Sequence, residues 1–171
     1  MNSTSNPTGN RHGTAVVTLP SDREIVITRQ FDAPAALVFK AYTTPELVKR
    51  WWGFDTSQWV QCDIDLRVGG TWRYVTKEQT PDGELEVGFH GEYREIESPG
   101  RLVTTEVYEG FPDAEALDTA VFDEHDGVTT LTVTVLHSCQ EHRDGHIASG
   151  MEGGMQISMN RLEDLVVEPA T

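Results

Sequence analysis

Between residues 14 and 137 apolar and polar positions largely alternate, and after residue 147 they fall into a helical rhythm. Alternation half-buries a strand, whereas recurrence every three to four residues half-buries a helix. Thr14 to Leu19 is strand-like, and Pro20-Ser21-Asp22 is a turn signal. Glu24 to Phe31 gives a second run in which Ile25, Ile27 and Phe31 share one parity. Asp32-Ala33-Pro34 opens a helix, with Asp32 as the expected cap and Pro34 in the first turn. Leu37, Val38 and Ala41 supply its apolar side. A second short helix starts at Thr44-Pro45-Glu46, carries Leu47, Val48, Trp51 and Trp52, and stops at Gly53.

The pattern then becomes β. Trp59 to Leu66 sets Val60, Cys62, Ile64 and Leu66 opposite Gln61, Asp63 and Asp65. Gly69-Gly70 turns into Thr71 to Lys77, Pro81-Asp82-Gly83 into Leu85 to Ile96, and Ser98-Pro99-Gly100 into Arg101 to Tyr108. Leu117 to Glu124 follows a short loop. His125-Asp126-Gly127 is a hairpin signal leading into Val128 to His137. In that last run Leu131, Val133 and Val135 face one way and Thr130, Thr132 and Thr134 the other, so one sheet face is apolar and needs a cover.

The cover is the segment Ala148 to Val166. Met151, Met155 and Met159 recur at steps of four, with Ile147, Leu162 and Val166 in phase. Gly150, Gly153 and Gly154 interrupt the stripe. Each costs about 1 kcal/mol against alanine in a helix interior, while burying the stripe contributes on the order of 10 kcal/mol. Two readings stay open. Flexible methionines fill core gaps while glycines permit close packing, or the same helix roofs a ligand cavity. The whole predicts an α+β fold: a strand, two short helices, about six to seven antiparallel strands in total, and one long helix. Residues 1–13 are expected to be a flexible polar leader and residues 14–171 a single domain.

Composition narrows the partners. With 13 basic and 28 acidic residues the net charge is −15, and no basic patch breaks the acidic background. Nucleic acid and anionic membranes both require positive charge at the contact, so neither is expected, and no run is long enough for membrane insertion. The N-terminus lacks the apolar stretch of a signal peptide, which predicts a cytoplasmic location. Cys62 and Cys139 are expected to be reduced, partly buried thiols.

Ordered blocks carry a resemblance. They are Arg29-Gln30-Phe31-Asp32-Ala33-Pro34, Val38-Phe39-Lys40-Ala41-Tyr42, and Pro45 to Gly53 reading PELVKRWWG. Asp63 to Tyr74 reads DIDLRVGGTWRY, and Phe89 to Ile96 reads FHGEYREI. Pro99-Gly100-Arg101-Leu102-Val103 and Ser149 to Met155, with Arg161-Leu162, complete the set. The chain resembles the helix-grip, or START-like, superfamily of ligand-binding domains. Within it the chain is similar to bacterial proteins related to the activator of Hsp90 ATPase, over roughly Ala15 to Val166. The resemblance implies a curved antiparallel sheet gripping the C-terminal helix, two small helices closing one end, and often a cavity between sheet and helix.

No strong catalytic motif is present: neither G-x-S-x-G, nor a Walker loop, nor H-E-x-x-H. Cys139, His142 and His146, with His137 upstream, have a spacing that could hold zinc, but no carboxylate completes the set and no metal is expected. The weak catalytic candidates are Glu106, His137 and His90. Glu106 shares parity with Leu102, Thr104 and Tyr108. The opposite parity, Val103, Thr105 and Val107, is equally apolar, so alternation does not choose its face. A carboxylate in an apolar cavity would have a raised pKa and could act as acid or base. The expected ligand-binding residues are Trp72, Tyr74, Glu106, Tyr108, His137, Met151, Met155 and Met159. Trp51 and Trp52 read as core and cavity-end packing.

The leading expectation is a non-enzymatic protein binding a small hydrophobic molecule, without a cofactor. The alternatives are a cyclase- or hydrolase-like enzyme and, from the family name, an activator of an Hsp90-type ATPase. The chain lacks room for the separate N-terminal domain of the eukaryotic activator, so a chaperone partner is not expected. Homodimerisation is left open.

Overall fold

A computed structural model describes residues 10–54 and 56–167. Its elements run β1 (Val16–Thr18), β2 (Glu24–Phe31), α1 (Ala35–Thr43), α2 (Pro45–Trp51), β3 (Gln58–Ile64), β4 (Thr71–Thr80), β5 (Gly83–Glu97) and β6 (Arg101–Tyr108). β7 (Ala116–His125), β8 (Val128–Leu136), α3 (Gln140–Ala148) and α4 (Met151–Val166) complete the chain. The strands form one eight-stranded sheet in the order β1-β2-β8-β7-β6-β5-β4-β3. Every neighbouring pair is antiparallel. The sheet has more strands than the six to seven expected, one for each run read as strand-like, with Val16–Thr18 paired to β2.

One sheet face carries the core. Ile25, Ile27 and Phe31 of β2, Leu131 and Val135 of β8, and Ala116, Ala120 and Phe122 of β7 are all buried in it. Leu102, Tyr93, Trp72, Tyr74 and Cys62 continue it across β6, β5, β4 and β3. Val38, Phe39, Val48 and Trp51 of the short helices close on this face together with Met155, Met159, Leu162 and Val166 of α4. The expected polarity of β8 therefore holds.

Three local expectations give way. Asp32 does not cap α1: Pro34 occupies the cap position without a side-chain bond. Asp32 instead pairs with Arg11 at 3.0 Å, and the Ala35 N–H donates to Glu124 Oε1 at 2.7 Å. In β3 a bulge between Trp59 and Gln61 breaks strict alternation. It turns Val60 outward, 52% exposed, and lets Trp59 pack on Tyr74 with ring centroids 5.9 Å apart. Leu66 lies beyond the strand and is exposed.

The C-terminal helix is broken. Gly150 sits at φ 82°, a left-handed conformation that only glycine adopts without cost. The amides of Ser149 and Gly150 close the end of α3 on the carbonyls of Gly145 and Ile147. The break moves Ile147 out of phase, and it is exposed, while Met155, Met159, Leu162 and Val166 hold the buried stripe. Close packing explains one glycine: a Cβ on Gly154 would lie 3.1 Å from the Phe54 ring, whereas Gly153 faces open space.

A buried ion pair fixes α4 to the sheet. Arg29, 1% exposed, shares the inward parity of Ile25, Ile27 and Phe31. Its Nη1 donates to Glu163 Oε1 at 3.0 Å and to the Gln30 carbonyl. Its guanidinium lies 4.9 Å from the centre of the Phe31 ring. Glu163 Oε1 also accepts the Arg11 N–H at 2.9 Å, and His12 Nε2 lies 3.3 Å from Oε2. The Gly13 N–H donates to Asn160 Oδ1. The first nine positions of the expected leader lie outside the described residues. Arg11 to Gly13, its last part, is docked on α4 by these bonds.

Removing one partner of such a pair leaves an uncompensated buried charge. Glu163→Leu is therefore expected to lower stability by about 3–5 kcal/mol in urea unfolding. Arg29→Met combined with Glu163→Leu should recover most of that loss. Equal losses in the single and double variants would show that the pair is not what holds α4.

Candidate functional site

Strand register sets the polar groups of the inner face beside one another. Tyr93 pairs with Thr104, Thr104 with Asp118, Asp118 with Val135, and Val135 with Ile25, forming one line across five strands. Glu106 is two residues from Thr104 and so points the same way, opposite Ala116. Leu102 on the same parity is in the core, whereas Val103, Thr105 and Val107 are buried on the other face. The register thus settles the parity that alternation left open.

Two polar pairs result. Glu106 and Asp118 stand within hydrogen-bonding reach of each other, a contact two carboxyl groups make only with a proton between them. Burial, then the Glu106 charge, then that bond hold the Asp118 carboxyl well above the usual carboxylate range. His137, 6% exposed, meets His146 of α3, Nε2 to Nδ1, at 3.0 Å. Burial first and the neighbouring His146 second push His137 down to about 4, while the Glu106 charge opposes them. Burial likewise lowers His146, again against Glu106. Glu106 is thus the group whose charge reaches both pairs. Burial also raises the hydroxyls of Tyr42 and Tyr74, Asp118 adding to the first.

Several of these groups keep unused hydrogen-bonding capacity. Trp72 Nε1, Asp118 Oδ1 and His137 Nδ1 are buried without a hydrogen-bond partner among the described residues. Trp72 stacks on Tyr74 at 4.7 Å, and Tyr74 meets Trp52 at 5.3 Å. Their surroundings are apolar, so each unpaired atom costs on the order of 1–3 kcal/mol.

Most of the expected ligand-binding residues share the inner side: Trp72, Tyr74, Glu106 and His137 on the sheet, Met155 and Met159 on α4. Met151 packs against the core while half-buried. Tyr108 lies at the exposed end of that face, 41% accessible, with its ring on Phe89. His90 does not join them. It pairs with Val107 on the outer face and lies 2.7 Å from Glu109 Oε2. Arg73 binds the same carboxylate through Nε and Nη2 at 3.0 and 2.9 Å. Arg73 above all, with His90, holds Glu109 down to about 2. His90 therefore belongs to an exposed ion cluster, separated by the sheet from Glu106 and His137.

Asp118, His146 as partner of His137, Arg29 and Glu163 were not among the expected site residues. Asp118 shares parity with Ala116, Ala120 and Phe122, a signal present in the sequence. Of the possible zinc set, His137 and His146 meet, whereas His142 bonds Ser138 Oγ and packs on Phe111. His12, Glu163 and Asp164 present ligand atoms within 4.8 Å of one another. Arg29 already occupies Glu163, however, and its charge opposes a cation there. Both thiols are free, and burial pushes Cys62 up to about 11.

Two depressions lie apart from the Glu106–Asp118 and His137–His146 pairs. One, of about 270 Å³, is lined by Lys49 and residues Trp59 to Asp63. The other, of about 220 Å³, is lined by Arg50, Arg161, Asp164 and Leu165. Among the described residues no helix is long and apolar enough to cross a membrane.

A curved antiparallel sheet closed by two short helices and a long C-terminal one defines a helix-grip domain, here with a polar cluster buried on its gripping face. The chain belongs to the activator of Hsp90 ATPase homolog 1-like family, whose model matches residues 32–167. Solved structures agree. A protein from Rhodobacter sphaeroides, 26% identical, superimposes with a TM-score of 0.77 over 87% of this chain and 95% of its own. A solution structure of a protein from Arthrobacter aurescens, 23% identical, gives 0.78 over 91% and 93%. Protein Ms6760 from Mycobacterium smegmatis, also 23% identical, gives 0.76 over 91% and 100%. At such identities the last two establish the fold alone. No curated protein matches the chain.

Two predictions follow from the buried groups. His137 is depressed from 6.5 to about 4, so the unfolded chain binds more protons in that interval and stability falls as pH drops through it. Asp118 has the opposite sign: its raised value favours the folded state at low pH, a contribution lost as pH rises through it. In urea unfolding from pH 4 to neutrality, His137→Leu should flatten the acid-side loss and Asp118→Asn should steepen it. Unchanged profiles in both would refute the assigned shifts. Separately, a Cβ on Gly91 would lie 1.8 Å from the Thr105 carbonyl oxygen and 2.5 Å from Trp72 Nε1. Gly91→Ala should therefore cost about 3 kcal/mol, read as a lowered denaturation midpoint.

Proposed function

We propose that this protein binds a small hydrophobic or amphipathic molecule between the inner sheet face and α4, in the cytoplasm and without a cofactor. The observation that carries this reading is the convergence of buried polar groups with unused hydrogen-bonding capacity on an otherwise apolar face. Binding sites for small molecules combine those two properties: apolar walls and a few polar groups that fix orientation. The methionines add adaptability, because an unbranched thioether side chain repacks at low cost. Admission requires side-chain movement, and α3 is suited to it. None of its residues is buried, and its hold on the fold includes the His137–His146 bond and the Arg143 bond to the Ser21 carbonyl.

Native mass spectrometry after incubation with lipid extracts, together with titration by an apolar fluorescent probe, tests the reading. Saturable one-to-one binding is expected. Met151→Trp, which fills the half-buried end of the stripe, should weaken it about tenfold or more without unfolding the domain. A probe that never saturates, or whose binding ignores Met151→Trp, argues against this site.

A second reading is an acid–base enzyme of cyclase or hydrolase type. It is favoured by one arrangement, the Asp118 carboxyl pushed upward by burial beside Glu106, with His137 pushed down by burial near the same charge. Under it, Glu106→Gln abolishes turnover of a bound substrate while leaving its affinity within about threefold.

A further inference from the structure

The polar groups of the inner face differ in what they can offer. The Trp72 indole N–H only donates. A carboxyl pair sharing one proton keeps a net negative charge, and its remaining oxygens accept. Asp118 Oδ1 is such an oxygen, buried and without a hydrogen-bond partner among the described residues.

Register brings these two groups together. Trp72 pairs with Gly91, and its Nε1 lies over that glycine, 2.5 Å from where a Cβ would stand. His90 pairs with Val107, so the next antiparallel position sets Gly91 opposite Glu106. Directly opposite residues are about 5 Å apart. Glu106 in turn holds Asp118. The free indole donor therefore stands over the strand next to the one that carries Glu106, with Asp118 on the strand beyond and no side chain on Gly91 to intervene.

The complement of one donor and one acceptor of an anionic pair, both on the inner face, is a group that accepts one hydrogen bond and donates another. A hydroxyl does both. A ligand carboxylate would set a second negative charge against the pair where water does not screen it. An ammonium would satisfy the pair but leave the indole N–H without an acceptor, and a ketone would do the reverse. We infer that the polar end of the ligand is a neutral hydroxyl, alcohol or phenol, seated between Trp72 Nε1 and Asp118 Oδ1. The inference rests on the ligand-binding reading above and specifies its chemistry.

Three matched two-ring probes separate the cases: naphthalene, β-naphthol and β-naphthoate, titrated by fluorescence at neutral pH. The hydroxyl should bind about tenfold tighter than the parent hydrocarbon, the worth of one to two net hydrogen bonds. The carboxylate should bind more weakly than the parent. Trp72→Phe keeps an aromatic ring but removes the donor, so the naphthol-to-naphthalene ratio should fall to within about twofold of one. Glu106→Gln removes the charge of the pair, so naphthoate should gain on naphthalene; thermal melting checks that both variants fold. Naphthalene binding with no advantage for naphthol overturns the hydroxyl assignment alone. So does naphthoate binding as tightly as naphthol, or an unchanged ratio in folded Trp72→Phe. Failure of all three probes to bind the wild-type protein overturns both the assignment and the ligand-binding reading beneath it.

Discussion

The arrangement depends on a charge in the wrong place. Arg29 points into the apolar side of the sheet, where an unpaired guanidinium would cost several kcal/mol. Among the described residues Glu163 of α4 answers it with a carboxylate, at 3.0 Å. A hydrophobic stripe alone specifies which side of α4 faces the sheet, but lets the helix slide along it. The ion pair removes that freedom, because displacement by one turn would separate the charges. The Arg11 amide and His12 then complete the Glu163 carboxylate, so the entry of the chain and its last helix are tied at one point.

With α4 fixed there, the opposite end of the inner face is closed more loosely. The stripe ends at Met151, half-buried, and α3 turns away at Gly150 without burying any side chain. Beneath this end the sheet presents its carboxyl pair and His137. Each pair lowers its own burial cost by sharing: one proton between Glu106 and Asp118, one hydrogen bond between His137 and His146. What they leave unused, on Trp72, Asp118 and His137, is the chemistry available to a bound molecule. The tightly held and loosely held ends of α4 thus divide stability from binding.

Much of this was legible residue by residue. The parity of Leu131, Val133 and Val135 gave the inner face, and the four-residue recurrence of methionine gave its cover. Asp118 and Arg29 were legible too, since each shares parity with buried neighbours, and Glu163 stands four residues after Met159 on the buried side of α4. A polar residue in an apolar register reads as an exception until a partner is known, and the partners lie far away in sequence. The β3 bulge left only an ambiguous trace: Val60 to Leu66 alternates, the adjacent apolar pair Trp59-Val60 precedes it, and the register shift arises only in pairing with β4. Asp32 shows the same limit, because a good cap residue was taken by Arg11 instead.

Periodicity and turn chemistry along one chain specify the elements, their order and the apolar side of each, and the ordered blocks carry the family resemblance. Tertiary structure alone decided which parity of β6 points inward, that Glu106 meets Asp118 and His137 meets His146, and that His90 is left outside. Those outcomes depend on cross-strand register and on the break at Gly150. Both parities of β6 are apolar enough to be buried, so local pattern is degenerate there. Only the pairing of β6 with β5 and β7 selects one, and with it the polar groups that share the interior.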